Sequence, residues 1–414
     1  LVFNYYIALM LFVYEDAGFK NFLPLVYTRP VFELRCGNFT ILERIQRFYP
    51  QEPICLLVRE YLVPVTKDKF PKCLVLSTKS KIPESKEPTL FLSARAILEA
   101  KIPIEGEDEI FIEPKGASAE RKLNQEVIGF RMSGAKLLRL PITTQKIKAL
   151  KSKEVPARLI NYPWDLIALN SEFLKKDFPV GQVKGTLEPR AIIYGDLSRL
   201  YLEEGSRVEP GVILDLHSGP IYIDQGARIK ATSLIEGPSY IGKNTIIDGG
   251  KIRPDCSFGE NCRICGEIEV SIFQGFANKH HEGFIGHSYI GEWVNLGALT
   301  TNSDLRNDYG SVKVVIGKKE IDSGMTKIGC FIGDHSKTAI GTLINTGTVI
   351  GIFANCFELG LSPKVIPSFS WGTKKRWSVE DALKTAKTMM ARRNVVLTKS
   401  YERLIRYLYK IVRD

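Results

Sequence analysis

An apolar residue returns at every sixth position from Leu234 to Val270: Leu234, Tyr240, Ile246, Ile252, Phe258, Ile264 and Val270. A second run, Ile332, Thr338, Ile344, Ile350 and Cys356, keeps the step with weaker residues. Glycine often follows the apolar position, as in Ile241-Gly242, Ile285-Gly286, Ile290-Gly291 and Ile350-Gly351. This period fits neither an amphipathic helix nor an alternating strand. It is the signature of a parallel β-helix, whose short strands each turn a side chain inward and whose coils stack into one continuous core. Small residues permit the tight corners. Of the 34 glycines in the 414-residue chain, 27 lie between Gly181 and Gly360, so the architecture changes near residue 180. The period specifies a fold and is silent on substrate.

Before residue 180, short apolar runs alternate with helical stretches. Ile7–Tyr14, Ile54–Val58, Cys73–Leu76, Leu90–Leu92, Ile110–Ile112 and Val127–Phe130 are expected as strands. Residues 39–48, 93–102, 143–151 and 163–178 are expected as helices, and the charged segment 77–88 as a loop. Such alternation predicts an α/β domain around a mostly parallel sheet. Past the hexads, Ser378 and Asp381 have capping-box spacing ahead of a helical stretch. A further helix follows, with Leu404, Ile405, Leu408 and Ile411 on one packed face. The expected domains are 1–180, 181–370 and a basic helical tail, 371–414.

The hydrophobic share of 44% and charged share of 25% are those of an ordinary soluble chain. The apolar opening "LVFNYYIALMLFVYED" lacks a basic start, is too short to span a bilayer and ends in an acidic pair, so a buried first strand is expected and no membrane partner. Eight cysteines do not form a disulfide framework at this length, and Cys262–Cys265 is a lone CxxC, so no metal site and a reducing cytoplasm are expected. The net charge of +11 concentrates in the tail, where Lys374–Asp414 carries 12 Lys/Arg against 4 Asp/Glu. A basic tail helix on a nearly balanced body reads as a solvated face, not a nucleic-acid site.

Three of the five histidines, His280, His281 and His287, fall within eight residues inside the repeat. The expectation is a loop extruded from the coil. Four ordered motifs surround it: "LPLVYTRPVFELRCG" (Leu23–Gly37), "NYPWD" (Asn161–Asp165), "NKHHEGFIG" (Asn278–Gly286) and "MARRNV" (Met390–Val395). With them the chain resembles a divergent branch of the bifunctional N-acetylglucosamine-1-phosphate uridylyltransferase/glucosamine-1-phosphate acetyltransferases. The resemblance implies a Rossmann-like nucleotidyltransferase domain, then a left-handed parallel β-helix acyltransferase and a C-terminal helix. It implies a cytoplasmic homotrimer that takes an amino-sugar phosphate, a nucleoside triphosphate and acetyl-CoA, with Mg2+ if the nucleotidyltransferase half is active.

By the same resemblance His281 is the general base. An amino sugar is largely protonated near neutrality, and imidazole, titrating near ~6.5, suits the proton transfer. Arg253, Asn295 and Asn302 match substrate-binding positions, and Ala298 an acetyl-CoA-binding one. Arg29, Arg35 and Gly37 fall where phosphate and nucleotide are bound. Departures accompany these matches. Phe284 replaces a tyrosine, the glycine-rich nucleotide loop lacks its second glycine, and the strand end carrying a metal-binding aspartate offers Ser93 and Ala94. Asp16, Asn161 or Asp165 could take over that role. Two further readings remain open: a γ-carbonic-anhydrase-like zinc enzyme through His281, His287 and His335, and a degenerate nucleotide-sugar-binding domain on a β-helix acyltransferase.

Overall fold

The computed structural model describes residues 10–80, 89–114, 127–132, 150–373 and 375–412. Most of the helix expected over 143–151 and most of the loop at 77–88 lie outside these residues, and Lys151 at the end of that stretch opens a strand. The chain divides into two compact units. One comprises Leu1–Lys20, Thr28–Leu34 and Thr40–Asn161, and the other Asn21–Tyr27, Arg35–Phe39 and Tyr162–Asp414.

The first unit is α/β. Its strands are β1 (Leu11–Tyr14), β2 (Ile54–Val58), β3 (Leu74–Ser77), β4 (Thr89–Ser93), β5 (Glu109–Ile112), β6 (Val127–Met132) and β7 (Lys151–Glu154), in the order β7-β5-β6-β4-β1-β2-β3. Only β6 runs antiparallel to its neighbours. Buried on both faces, β1 and β2 read as unbroken apolar runs, as parallel strands do. Phe12, Phe91 and Phe130 stack across three strands, 4.7 Å between successive ring centroids. Helix α1 (Ile41–Phe48) starts at a capping box of Thr40 and Glu43; α2 (Val63–Lys69) follows β2.

Two elements differ from expectation. Residues 93–102 form no helix: Ala96–Leu98 is a strand antiparallel to Ala157–Leu159. Ala94, Ala96, Ile97 and Leu98 are all fully buried, and pairing with a distant strand overrides the segment's helix propensity. Strand β7, "KSKE", is exposed throughout. Its edge position and charges explain why an apolar search passes it by. On either side of β1 the strand order reverses, so the carboxyl ends of β1 and β4 flank a switch point where open α/β sheets bind ligands.

The second unit is a left-handed parallel β-helix with three faces. The first face stacks ten strands, from Gln182–Val183 to Val365–Ile366. The second runs from Thr186–Leu187 to Asn278–Lys279 and then crosses two isolated bridges, Asn278–Asn295 and Asn295–Lys337, to reach Lys337–Thr338. The third runs from Ile192–Tyr194 to Phe284–Gly286 and resumes at Thr301–Asn302. An antiparallel hairpin, Lys313–Ile316 with Lys319–Asp322, is inserted before the next coil. Helix α3 (Pro163–Lys176) precedes the coils, and α4 (Val379–Ala391) and α5 (Lys399–Ile411) follow them. None of the helices among the described residues is long and apolar enough to cross a membrane. All eight cysteines carry free thiols.

Ile241, Phe258, Phe273, Ile290, Ile332 and Ile350 line the inside of the first face, each at 0% exposure. Each such side chain is worth about 1.5–3 kcal/mol of burial. The run Ile332, Thr338, Ile344, Ile350, Cys356 points inward residue for residue. The earlier run does not keep phase: Leu234, Tyr240 and Ile246 lie on the outer side, and Ile235, Ile241 and Ile247 fill the core. A corner one residue shorter restores the phase from Ile252 to Ile264, and Val270 then falls on a corner while Ile268 fills the core.

From the second coil on, the corner between the first and second faces places a residue in the left-handed region. Gly205, Gly226, Asn244 and Asn261 supply it first; Phe276, Trp293, His335, Phe353 and Phe369 follow, with φ between 52° and 60°. A left-handed non-glycine residue costs about 1–2 kcal/mol. Stacking offsets it: centroids are 4.2 Å apart for Phe276 and Trp293, 4.5 Å for His335 and Phe353, and 5.1 Å for Phe353 and Phe369. Helix α5 packs on this ladder, with Tyr401 Oη 3.2 Å from His335 Nε2 and the Tyr409 ring edge-on to Phe369. Phe353→Gly trades about 1–2 kcal/mol of relieved strain for about 3–5 kcal/mol of lost packing. Calorimetry should therefore show a clear fall in Tm for Phe353→Gly, and almost none for Asn244→Gly at the same corner.

Candidate functional site

The histidine-rich segment is not an extruded loop. Strand Asn278–Lys279 ends on the second face, His280 to Gly283 turn the corner, and Phe284–Gly286 begins the third-face strand. The six-residue step is intact from Lys279 to Ile285, with Lys279 in the inward position at 0% exposure. Its ammonium donates to the carbonyl of His281 and, at 2.8 Å, to that of Glu282, pinning the corner from inside the coil. Burial pulls the Lys279 pKa down. Gly283 sits at φ +126°, where a Cβ would meet the Thr300 carbonyl oxygen at 2.3 Å, so only glycine fits. The true excursion is the hairpin after Asn302.

His280 is drawn along the outer surface, its Nε2 3.7 Å from Asp248 Oδ2, and its pKa is lowered by burial. His281 is exposed, its ring edge-on to that of His280. In the next coil the Leu299 N–H donates to the Glu282 carbonyl, which sets Ala298 directly over His281. The Ala298 N–H has no acceptor among the described residues. Asn295 lies on the second face of that coil and accepts a 2.8 Å hydrogen bond from Asn278 Nδ2. The exposed histidine, the open N–H and the amide pair thus share two adjacent coils.

Other sequence-derived candidates lie elsewhere. Arg253 is on the third face, two coils before His281, paired with Glu236 at 3.2 Å. Asn302 takes an inward position at 2% exposure; its amide accepts from the Gly286 N–H and donates to the Gly286 carbonyl. Arg35 and Gly37 are joints in the solenoid unit. The Arg35 N–H donates to Tyr289 Oη at 2.8 Å and its guanidinium to the Asn38 carbonyl, over the Tyr240 ring. The Gly37 N–H donates to Asn170 Oδ1, and its carbonyl accepts from Ser257 Oγ. Arg29 is buried in the α/β unit. His281, His287 and His335 occupy three different corners of the coil: His287 is bonded to Asp304 at 2.7 Å, and His335 is locked in the aromatic ladder. They do not form one donor set within the chain.

A feature the sequence reading missed is a cleft of about 790 Å³ between the second face and α4, with Asn278, Asn295 and Lys337 on one wall and Lys384, Arg392 and Arg393 on the other. The Lys337 ammonium donates to the His335 carbonyl at 2.7 Å and lies 5.4 Å from the centroid of the Trp377 ring. Burial pulls its pKa down to about 8. The cleft's other titratable groups are Lys384, Arg392, Arg393 and Asp381.

At the switch point of the α/β unit each carboxylate meets an arginine from the neighbouring strand end. Asp16, just past β1, accepts from Arg95 Nε at 2.9 Å and Nη2 at 2.8 Å; Ser93 Oγ adds a 3.2 Å contact. Arg95 Nη1 donates to Asn161 Oδ1 at 2.6 Å. Glu15 is fully engaged by Arg59, whose Nε lies 3.1 Å from Oε2. Asp165 belongs to the other unit, where it accepts from the Tyr162 N–H and caps α3. This donor set does not fit a magnesium ion, which asks for carboxylate oxygens not already held by cations. Among the described residues no group of three metal-binding side chains exists.

The Lys337 shift has a readable consequence. Burial disfavours the charged form, so the folded chain releases this proton at lower pH than the unfolded chain. The destabilisation is complete below about pH 8 and disappears toward the ordinary value of 10.5, so stability rises with pH through that window. In urea melts at stepped pH, Lys337→Met should flatten that rise and add about 1–3 kcal/mol near neutrality.

Residues 11–184 match the family described as sugar nucleotidyl transferase. A bifunctional sugar-1-phosphate nucleotidylyltransferase/acetyltransferase of Sulfurisphaera tokodaii is 38% identical over 200 residues, 48% of this chain and 44% of that protein. The bifunctional protein GlmU of Methanococcus aeolicus is 30% identical over 203 residues, 48% of this chain and 43% of that protein. The aligned stretch thus spans less than half the length of both relatives. A solved UDP-N-acetylglucosamine acyltransferase of Arabidopsis aligns with 56% of this chain and 97% of its own at 12% identity, with a TM-score of 0.18, too low to carry an argument. The resemblance read from the motifs is borne out: residues 11–184 match the sugar nucleotidyl transferase family, and about half of the chain is similar to bifunctional nucleotidylyltransferase/acetyltransferases.

Proposed function

We propose that the chain is a transferase of amino-sugar nucleotide synthesis. Its solenoid N-acetylates an amino-sugar phosphate, glucosamine-1-phosphate first, from acetyl-CoA; its α/β unit handles a sugar-1-phosphate and a nucleoside triphosphate, giving UDP-N-acetylglucosamine or a similar nucleotide sugar. The observation that carries this reading is an exposed His281, held from inside the coil by Lys279, with the open N–H of Ala298 in the next coil. The names of the relatives, which join both activities, support it.

In this reading His281 accepts the proton that the amino group loses as its nitrogen attacks the thioester carbonyl. The C–N bond forms, the Ala298 N–H stabilises the oxyanion, and the C–S bond breaks as the sulfur takes the proton from the imidazolium. Arg253 serves the sugar phosphate and Asn295 orients the substrate. The flat outer faces of the solenoid suit closure as a homotrimer, and the protein works in the cytoplasm. The functional boundaries proposed are 1–180, 181–370 and 371–414. In a thiol-release assay with acetyl-CoA and glucosamine-1-phosphate, His281→Ala should lose about 10²–10⁴-fold in kcat with an unchanged circular dichroism spectrum. Equal rates in parent and variant would remove His281 from the mechanism.

For the α/β unit, the Asp16–Arg95 pair favours a second reading: nucleotide sugar is bound there without turnover, because the strand-end carboxylate is already neutralised. No metal-assisted step is derived for it. Calorimetry should then show UDP-N-acetylglucosamine binding, while UTP, N-acetylglucosamine-1-phosphate and Mg2+ release no pyrophosphate. Steady pyrophosphate release would restore the bifunctional reading.

A further inference from the structure

The cleft under α4 holds an excess of positive charge that no carboxylate pairs with among the described residues. Lys384, Arg392 and Arg393 have no ion-pair partner among the described residues, and Lys337 faces only a carbonyl and an indole. The single carboxylate in the lining, Asp381, accepts a 2.6 Å hydrogen bond from Ser378 at the start of the helix. Its neighbour Glu380 is paired with Arg406. The Arg393 guanidinium also acts on that of Arg263, whose pKa is lowered by burial and then by this repulsion. Like charges in one neighbourhood repel, and a bound anion relieves that repulsion.

Four aromatic rings also line the cleft. Trp293 and Trp377 are buried in the floor, while Trp371 is 44% exposed and Phe276 half-buried at the edge. An exposed indole beside arginine forks suits a planar base joined to phosphates: the ring takes the base by stacking and the guanidiniums take the phosphate oxygens in pairs. The volume, about 790 Å³, is that of a small-molecule site.

We propose that this cleft binds a nucleotide carrying two or more phosphates, the base against Trp371 and the phosphates across Lys384, Arg392 and Arg393. Its position beside Asn278 and Asn295, in the two coils that carry His281 and Ala298, suits the nucleotide end of a coenzyme A thioester. A nucleotide sugar presents the same chemistry. The binding site itself does not depend on the acyl-transfer reading.

The test is calorimetric titration of the full chain with adenosine 3′,5′-bisphosphate, coenzyme A and UDP-N-acetylglucosamine, repeated with Arg392→Ala/Arg393→Ala and with Trp371→Ala. These side chains lie on the surface, and circular dichroism checks the fold. The expected result is binding of the bisphosphate and of coenzyme A, weakened about tenfold or more by the double variant. Trp371→Ala should weaken it severalfold. If UDP-N-acetylglucosamine alone loses affinity in these variants, the nucleotide site stands with a nucleotide sugar as its source. If none of the three binds, or the variants leave every affinity unchanged, the proposal is overturned. Thiol release intact beside an empty cleft would sink this inference alone; a nucleotide-filled cleft in a chain that releases no thiol would sink the acyl-transfer reading alone.

Discussion

The solenoid unit depends on one backbone requirement: from the second coil on, the corner between its first and second faces places a residue in the left-handed region. Early coils meet it with Gly205, Gly226, Asn244 and Asn261, which bear that conformation cheaply. Later coils meet it with aromatics, and the choice builds a surface. A column of stacked rings from Phe276 to Phe369 is apolar enough to hold α5, and α5 in turn holds α4 through Arg406 and Glu380. The cleft exists because α4 is carried across the second face in this way. A local strain of about 1–2 kcal/mol per coil thus becomes the attachment point for the whole C-terminal segment.

The α/β unit is governed by the same economy of charge at its strand ends. Glu15 and Asp16 leave β1 side by side, and two like charges there would repel strongly in a half-buried crevice. Arg59 from the end of β2 and Arg95 from the end of β4 each claim one of them. The result is a switch point with the right topology for a ligand and a closed charge balance. Removing either arginine would strand a carboxylate, which costs far more than the pair contributes.

How much of this was legible in the sequence depended on whether burial left an apolar trace. Ile332 to Cys356 announced both fold and register, because every coil there has equal corners. Leu234 to Ile246 announced the fold but the wrong side of the strand, since each core isoleucine there has an apolar neighbour that periodicity alone cannot separate from it. Lys279 did more damage to the reading: a charged residue in an inward position broke the apolar beat and made an ordinary corner look like an excursion. Ala96–Leu98 looked helical because propensity is local and its strand partner, Ala157–Leu159, is far away in the chain. The His281 corner was visible as a motif, whereas the cleft required knowing where α4 returns, which no spacing encodes.

The hairpin inserted after Asn302 has a mechanical consequence. At that level the first face runs on unbroken through Ile290 and Ile332, the second continues only through isolated bridges, and the third restarts as a separate two-stranded pair. The solenoid is thus two short stacks sharing one continuous wall, with the Asn302 amide stitching the gap to Gly286. In a stacked array stability is a sum over neighbouring coils, so this level is the weak joint of the rod. His281 and Ala298 lie just below it, Lys337 just above, and anything bound across them fastens one stack to the other.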